Sequence, residues 1–579
     1  MRQSIQRSRW LGPLLSALLC ALSPGTGWSD VTPYNLLDRI HPVAARNGMA
    51  VTQEALATQV GVAILRQGGN AVDAAVAIGF ALAVTLPQAG NLGGGGFMLV
   101  YDAAEKQSEA IDFREVAPAA IRRDFYLNEK GEVDETRIRH SHQAAGVPGT
   151  VAGLALAHGR HGHLPWPQLL APAIRLAEQG IAVSPELAQS LQESRGRMAR
   201  WPASLKQFFK PDGSPYQTGE TLAQPDLAAS LKLIAEQGPP AFYQGEVARR
   251  LVADMKAHGG LIALDDLKKY RAVVRQPARG SYRGYDILSM PPPSSGGVHL
   301  IQLLNMMETW PLAELGAGSA ATLHRMTEAM KVAYADRSEY LGDPDFVKIP
   351  VAGLTSKAYA KELAGRIDLN RARPASEIKP GQPQRHESEQ TTHYSVIDRD
   401  GNAVAVTYTL NFPYGSAIVA AGTGILLNNE MDDFAAKPGT PNAYGLIGGD
   451  ANAVAPGKRP LSSMSPTIVL KDGQPVLVTG SPGGSRIITT VLQIISNVID
   501  HNMNVAQATL APRFHHQWLP DELRIEEGFS PDTVRLLREL GHTVAVKDAL
   551  GDTQSIVRQP EGLYGFSDLR RPGGSAAGY

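Results

Sequence analysis

Cysteine is almost absent. One thiol, Cys20, occurs in 579 residues, and it sits inside an N-terminal stretch built like a removable address. The mature chain is therefore expected to hold no disulfide and no cysteine-based metal site. A surplus of charge is also missing: 55 Lys and Arg stand against 56 Asp and Glu, which excludes the basic signature of a nucleic-acid partner. Past the N-terminus no apolar run reaches the roughly 18 residues of a membrane helix. The longest, residues 74–86, stops at Pro87. What the chain does have is 43% hydrophobic residues, 58 Gly and 40 Pro, the composition of a compact protein rich in turns.

The first residues have the layout of a secretory signal peptide. Arg2, Arg7 and Arg9 precede any acidic residue, residues 11–22 are nearly all apolar, and Ser23-Pro24-Gly25-Thr26-Gly27 follows. Removal is expected within a few residues of position 27, leaving an exported chain without a membrane span. Its compartment is then periplasmic, or extracellular if the source has no outer membrane. Leu19 is too bulky for the usual lipid attachment at Cys20.

From residue 52 to 82 the apolar spacing is helical, interrupted at Gly68-Gly69-Asn70. Gly93-Gly94-Gly95-Gly96 suggests a tight turn feeding a strand, and a second short strand ends near Arg114. Residues 166–373 are expected to be mostly amphipathic helix with loops between. The polar stretch 374–390, poor in large apolar side chains, is expected to be exposed and flexible. Thr391-Thr392-His393-Tyr394-Ser395-Val396-Ile397 then begins abruptly as a strand. Arg399-Asp400-Gly401 turns it into a second strand, 403–409, with Gly401 supplying the positive φ of a three-residue loop. If Asp398 faces Asn402, this register sets Thr391 opposite Thr409 on one face; a slip of one residue would undo it.

Four local features carry possible chemistry. A threonine that opens a strand after a floppy segment suits self-cleavage, with the freed α-amine serving as base for its own hydroxyl. From the hairpin alone, an ordinary strand beginning with two threonines is the stronger reading. Strand 476–480, the loop Ser481-Pro482-Gly483-Gly484-Ser485 and a helix at 486–500 offer the amides of Gly483 and Gly484 to an oxyanion, or form a plain turn. A nucleotide loop is disfavoured because G-x-x-x-x-G-K-[ST] is missing. The acidic run Asn428-Asn429-Glu430-Met431-Asp432-Asp433 could hold an ammonium group; calcium is the rival, without EF-hand spacing. Arg114 offers a fork for a carboxylate, near hydroxyls such as Ser462 and Ser463. His515-His516 is read as structural, since adjacent residues do not share a face of a helix or strand.

Taken together, Gln390-Thr391-Thr392-His393-Tyr394-Ser395-Val396, Thr409-Leu410-Asn411, Asn428-Asn429-Glu430-Met431-Asp432-Asp433-Phe434, Pro460-Leu461-Ser462-Ser463-Met464-Ser465-Pro466 and Gly480-Ser481-Pro482-Gly483-Gly484-Ser485-Arg486 resemble the γ-glutamyltransferase (γ-glutamyl transpeptidase) family, bacterial periplasmic type. The resemblance implies an N-terminal nucleophile hydrolase, a mixed α/β (α+β) fold in a four-layer αββα sandwich. It implies cleavage between Gln390 and Thr391 into a large chain, 28–390, and a small chain, 391–579, that form one intertwined unit. Thr391 would be the nucleophile, Thr409 its hydrogen-bond partner, and Gly483 and Gly484 the oxyanion hole. Arg114 and Ser462, with Ser463 beside them, would bind the α-carboxylate of a γ-glutamyl donor; Asn411, Glu430 and Asp433 would hold its ammonium. Residues 438–449 resemble a lid with Tyr444 as its cover. Glutathione and related compounds would be donors, water or an amino acid or dipeptide the acceptor, and no cofactor or metal is implied. A cephalosporin (glutaryl) acylase is the nearest alternative, and a non-catalytic exported binding protein a more distant one. Two positions depart from the family pattern. Phe412-Pro413-Tyr414 replaces residues that are often threonines, which bears on the acceptor side. Glu430 stands where several bacterial relatives have Gln, which adds negative charge beside the ammonium.

Overall fold

Two seven-stranded antiparallel sheets lie at the centre of the molecule. The structure, a computed structural model, describes residues 38–379, 392–437 and 449–579. The signal-like segment, Gln390, Thr391 and Tyr444 lie outside them. One sheet runs Ser575–Gly578, Met49–Thr52, Thr392–Ile397, Ala403–Thr409, Gly95–Asp102, Gln107–Asp112, Val273–Arg275. The other runs Val43–Ala45, Gly562–Ser567, Gln554–Gln559, Gln474–Thr479, Thr467–Lys471, Tyr285–Ser289, Ala278–Tyr282. Residues from both sides of position 390 supply strands to each sheet.

The pleat of Ala403–Thr409 explains the layering. Val404, Val406 and Tyr408 point into a core shared with helices Ala55–Arg66 and Ala71–Thr85. Ala403 and Ala405 point the other way, into a core with Leu477, Val478 and Ile556 of the second sheet. That core continues onto helices Gly296–Met307, Ala320–Tyr340 and Arg486–Ile499. Large side chains thus meet helices and small ones meet the opposing sheet, where close approach is needed. The result is helix, sheet, sheet, helix, the expected αββα sandwich.

Local sequence accounts for the elements nearest the site. Asn70 and Asp73 form a reciprocal capping box at the start of Ala71–Thr85, and every residue of that helix is buried, in keeping with a sequence that is apolar apart from the capping Asp73 and the terminal Thr85. Gly93 to Gly96 serve close approach more than a turn. Gly95 and Gly96 already pair with Thr409 and Tyr408. A Cβ on Gly94 would lie 1.9 Å from the Thr409 carbonyl oxygen, and one on Gly96 2.4 Å from that of Thr407. The middle of the chain departs from expectation: besides helices it contains Val273–Arg275, Ala278–Tyr282 and Tyr285–Ser289. The first two are edge strands with exposed, polar positions, so they lack the period-two apolar signal by which strands are recognised.

Candidate active site

The hairpin has the register expected from its loop. Thr392 pairs with Tyr408, His393 with Thr407, and so on to Ile397 with Ala403. The Asp398 amide donates to the Asn402 carbonyl at 3.1 Å, and Gly401 has φ 88°. Both strands are buried throughout, at the middle of their sheet. Thr409 ends the second strand. Its Oγ1 accepts from the Asn411 amide at 2.8 Å, and Asn411 itself adopts φ 73°, a left-handed conformation that asparagine tolerates. Asn411 Nδ2 donates in turn to the Asn429 carbonyl at 2.9 Å, tying the hairpin to the acidic loop.

The glycine loop lies against the start of the same hairpin. A Cβ on Gly480 would fall 2.4 Å from the ring of His393. Beyond it, Gly483 and Gly484 take φ values of 130° and 60°, which side-chain-bearing residues rarely adopt. Their carbonyls accept from Arg486 N at 3.2 Å and Ile487 N at 2.9 Å, starting the helix Arg486–Ile499. Among the described residues no group accepts from either glycine amide. His393, the other ionisable group here, is held neutral: burial pushes it down to about 3, and its ring nitrogens meet Thr407 Oγ1 and Ser395 Oγ.

A dense ionic cluster forms the third part. Arg114 follows the strand Gln107–Asp112 and is wholly buried. Its guanidinium donates from Nη1 to Glu430 and from Nη2 to Asp433, two residues of one 3₁₀ turn, and its Nε meets the Pro460 carbonyl at 3.2 Å. Glu115 adds a third carboxyl 3.5 Å from Nη1. Burial would lower Arg114, but Glu430, Asp433 and Glu115 outweigh it and hold the guanidinium above its ordinary value. The carboxyls are raised, Glu430 and Asp433 chiefly by burial, and Glu115 by burial and then by Glu430. One cation thus faces three buried carboxyls. Glu430 Oε2 and Asp433 Oδ1 accept no hydrogen bond from any described residue. Such a cluster suits a ligand that brings a cation of its own.

Ser462 and Ser463 complete the surroundings. Ser462 Oγ accepts from the Met464 amide at 3.1 Å, and Ser463 Oγ accepts from Arg337 Nη2 at 2.9 Å. The Leu461 carbonyl just before them accepts from Arg114 Nη2 at 3.3 Å. Arg114, Thr409, Asn411, Glu430, Asp433, Ser462 and Ser463 are thus linked by contacts through one region. Sequence reading missed Glu115, whose only signal was adjacency to Arg114. It missed Arg337, which lies in no motif. It gave Asn428 no role, yet Asn428 Oδ1 accepts from the Gly146 and Glu430 amides and fixes the acidic loop. Phe412-Pro413-Tyr414 is held from the large-chain side, where Arg197 donates to the Pro413 carbonyl at 2.7 Å.

Among the described residues two trios could supply metal ligands, His142 with Asp254 and His258, and His324 with Glu328 and His542. In each the histidines are already engaged: His142 Nε2 meets Asp254 at 2.9 Å, and His324 Nδ1 meets His542 Nε2 at 2.7 Å. His515 and His516 bond separately, to Thr489 and Gln517 and to Asp521.

Comparison with known proteins places this arrangement. Residues 57–578 match the family model described as gamma-glutamyltranspeptidase. The glutathione hydrolase proenzyme of Escherichia coli (strain K12) is 58% identical over 543 residues, 94% of this chain and 93% of that protein. Among solved structures, cephalosporin acylase from Bacillus halodurans superposes with a TM-score of 0.84 at 30% identity, covering 94% of this chain and 98% of that one. Helicobacter pylori gamma-glutamyltranspeptidase gives a TM-score of 0.57 at 46% identity, covering 60% of this chain and 99% of that one. With the match spanning nearly the whole sequence, the chain belongs to the gamma-glutamyltranspeptidase family.

Proposed function

We propose that this chain is an exported proenzyme that cuts itself between Gln390 and Thr391 and then acts as a γ-glutamyl transferase/hydrolase on glutathione and related γ-glutamyl compounds. The observation that carries the substrate class is the buried Arg114 fork held between Glu430 and Asp433. A zwitterionic amino-acid head group answers both halves of it, its carboxylate meeting Arg114, Ser462 and Ser463, and its ammonium meeting Glu430, Asp433 and Asn411.

The chemistry follows from the register. Its outermost described pair, Thr392 with Tyr408, stands immediately before Thr409, and the expected next pair would bring in Thr391, which lies outside the described residues. In self-cleavage the Thr391 hydroxyl adds to the Gln390 carbonyl, the C–N bond breaks, and the ester that forms is hydrolysed. This leaves a carboxylate at 390 and a free amine at 391. In turnover that amine takes the Thr391 hydroxyl proton while the oxygen attacks the γ-carbonyl. The oxyanion is met by the amides of Gly483 and Gly484. Collapse expels the amine of the leaving peptide, which takes the proton back. Water, or the amine of an amino acid or dipeptide, then attacks the γ-glutamyl ester and restores Thr391. The large chain, 28–390, and the small chain, 391–579, stay together because each sheet draws on both. By the family resemblance, residues 438–449 with Tyr444 would serve as a lid; of these only Gly449 is among the described residues.

The cephalosporin acylase reading draws support from the likeness to the Bacillus halodurans structure. It is the weaker one, because a glutaryl group brings no ammonium to Glu430 and Asp433. Thr391→Ala separates catalysis from mere binding. The variant is expected to remain one uncut chain and to lose turnover of a γ-glutamyl anilide by at least about 10³-fold. A variant that is still cut and active would remove Thr391 from both roles.

A further inference from the structure

We infer that Arg337 is a positioning residue for the donor's α-carboxylate, acting through the hydroxyl of Ser463; this rests on the head-group reading above. Arg337 lies near the end of the long helix Ala320–Tyr340, on the large-chain side, and is 1% exposed. From there its Nη2 donates to Ser463 Oγ at 2.9 Å and reaches the Ser462 carbonyl at 3.4 Å.

The inference follows from what a hydroxyl can do. A serine Oγ has one proton to give and two lone pairs to receive. A guanidinium only donates, so Ser463 meets Arg337 as acceptor and keeps its own proton for another group. The neighbouring hydroxyl is set in the same way, since Ser462 Oγ accepts from the Met464 amide. Both hydroxyls thus accept from the protein and keep a proton to donate, and a carboxylate, which only accepts, is a fitting partner for the Ser463 O–H. The charge of Arg337 polarises the Ser463 O–H and strengthens its bond to an anion.

The surrounding backbone needs no help from Arg337 to hold its shape. The Ser462 amide donates to the Pro293 carbonyl at 2.9 Å, and the Ser462 carbonyl accepts from the amide and hydroxyl of Ser295 at 2.7 and 2.8 Å. The Ser294 hydroxyl meets the Met464 carbonyl at 2.7 Å. The turn is therefore fixed by Ser294 and Ser295, while the Arg337 contact falls on the side-chain oxygen that faces a ligand role. It also joins the two products of self-cleavage, Arg337 coming from one chain and Ser463 from the other.

Two donors that differ only in the carboxylate test this. γ-Glutamyl p-nitroanilide carries it, and 4-aminobutyryl p-nitroanilide keeps the amine but lacks it. Wild type, Arg337→Lys, Arg337→Met, Ser463→Ala and the Arg337→Lys/Ser463→Ala double variant are first checked for self-cleavage. Then kcat/KM is measured on both donors. Arg337→Lys is expected to lower kcat/KM about tenfold on the γ-glutamyl donor, mainly through KM, and less than about twofold on the aminobutyryl donor. The double variant is expected to be no worse than Ser463→Ala. Equal losses on both donors, or losses that multiply in the double variant, would overturn the inference and leave the head-group reading intact. A wild type that does not prefer the γ-glutamyl donor would overturn both. If the Arg337 variants fail to self-cleave, Ser463→Ala alone must reproduce the donor-selective loss, and an equal loss on both donors again refutes the idea.

Discussion

Around Arg114 the structure buries basic and acidic side chains together; around Thr409 it relies on backbone register and on glycine conformation. The first region packs a guanidinium against Glu115, Glu430 and Asp433 with almost no solvent access. The second is built mainly from hydroxyls, a neutral His393 and a loop whose φ angles need glycine, with Arg486 as a charged side chain donating to the Gly483 carbonyl at 3.1 Å. The contrast shows how one site divides its work. Under the proposed function, selectivity for a head group would come from charges that are costly to bury alone. Reactivity would come from placing a hydroxyl and two amides where a carbonyl must sit.

The two regions should therefore fail differently. The larger effect is expected at the charged one. Asp433→Asn removes a carboxylate partner from the buried Arg114 and should cut kcat/KM for a γ-glutamyl anilide by about 100-fold. A glutaryl anilide, which has no ammonium, should lose far less in the same variant. Similar losses on both donors would mean that Asp433 serves the fold and not the head group. A smaller effect is expected at Thr409. Thr409→Val keeps the shape but strands the Asn411 amide, and both self-cleavage and turnover should slow by about tenfold. Here the loss should be the same for every donor.

The smallest effect sharpens the comparison through pH. Burial holds Glu430 and Asp433 above the usual carboxylate range, so as pH falls they take up protons earlier than ordinary acids do. Binding of an ammonium needs them ionised. Towards acid, kcat/KM is expected to fall several-fold sooner for the γ-glutamyl than for the glutaryl donor. The effect on stability has the opposite sense. Since their folded pKa values are raised, these carboxyls stabilise the fold most below about pH 4 and lose that contribution as pH rises through the folded values. Titration of the melting temperature, with and without donor, would register both trends.

The hairpin register and the glycine loop were legible in the sequence because their logic is local. A three-residue loop with Gly401 fixes the pairing of the hairpin, and glycines at 483 and 484 mark a backbone that needs them. The four layers were legible only through the family motifs, since the alternation in Ala403–Thr409 sets large against small residues and not apolar against polar. Arg337 and Asn428 stayed hidden. Each acts on a residue remote in sequence, Arg337 on Ser463 and Asn428 on Gly146, and no local pattern encodes such contacts. The edge strands Val273–Arg275 and Ala278–Tyr282 were missed because edges carry little apolar periodicity. The glycine run at 93–96 was read as a turn because nothing in its own sequence announces that Thr407 and Thr409 press against it.

The central claim is that Thr391 becomes an N-terminal residue. Denaturing electrophoresis of the purified protein, with N-terminal sequencing of each band, tests it before any substrate is chosen. Two bands are expected, the smaller beginning Thr391-Thr392-His393 and the larger beginning near residues 24–32. A single uncut chain in well-folded protein would deny the hydroxyl its own amine as base, contradict the catalytic reading, and leave the head-group pocket as that of a binding protein.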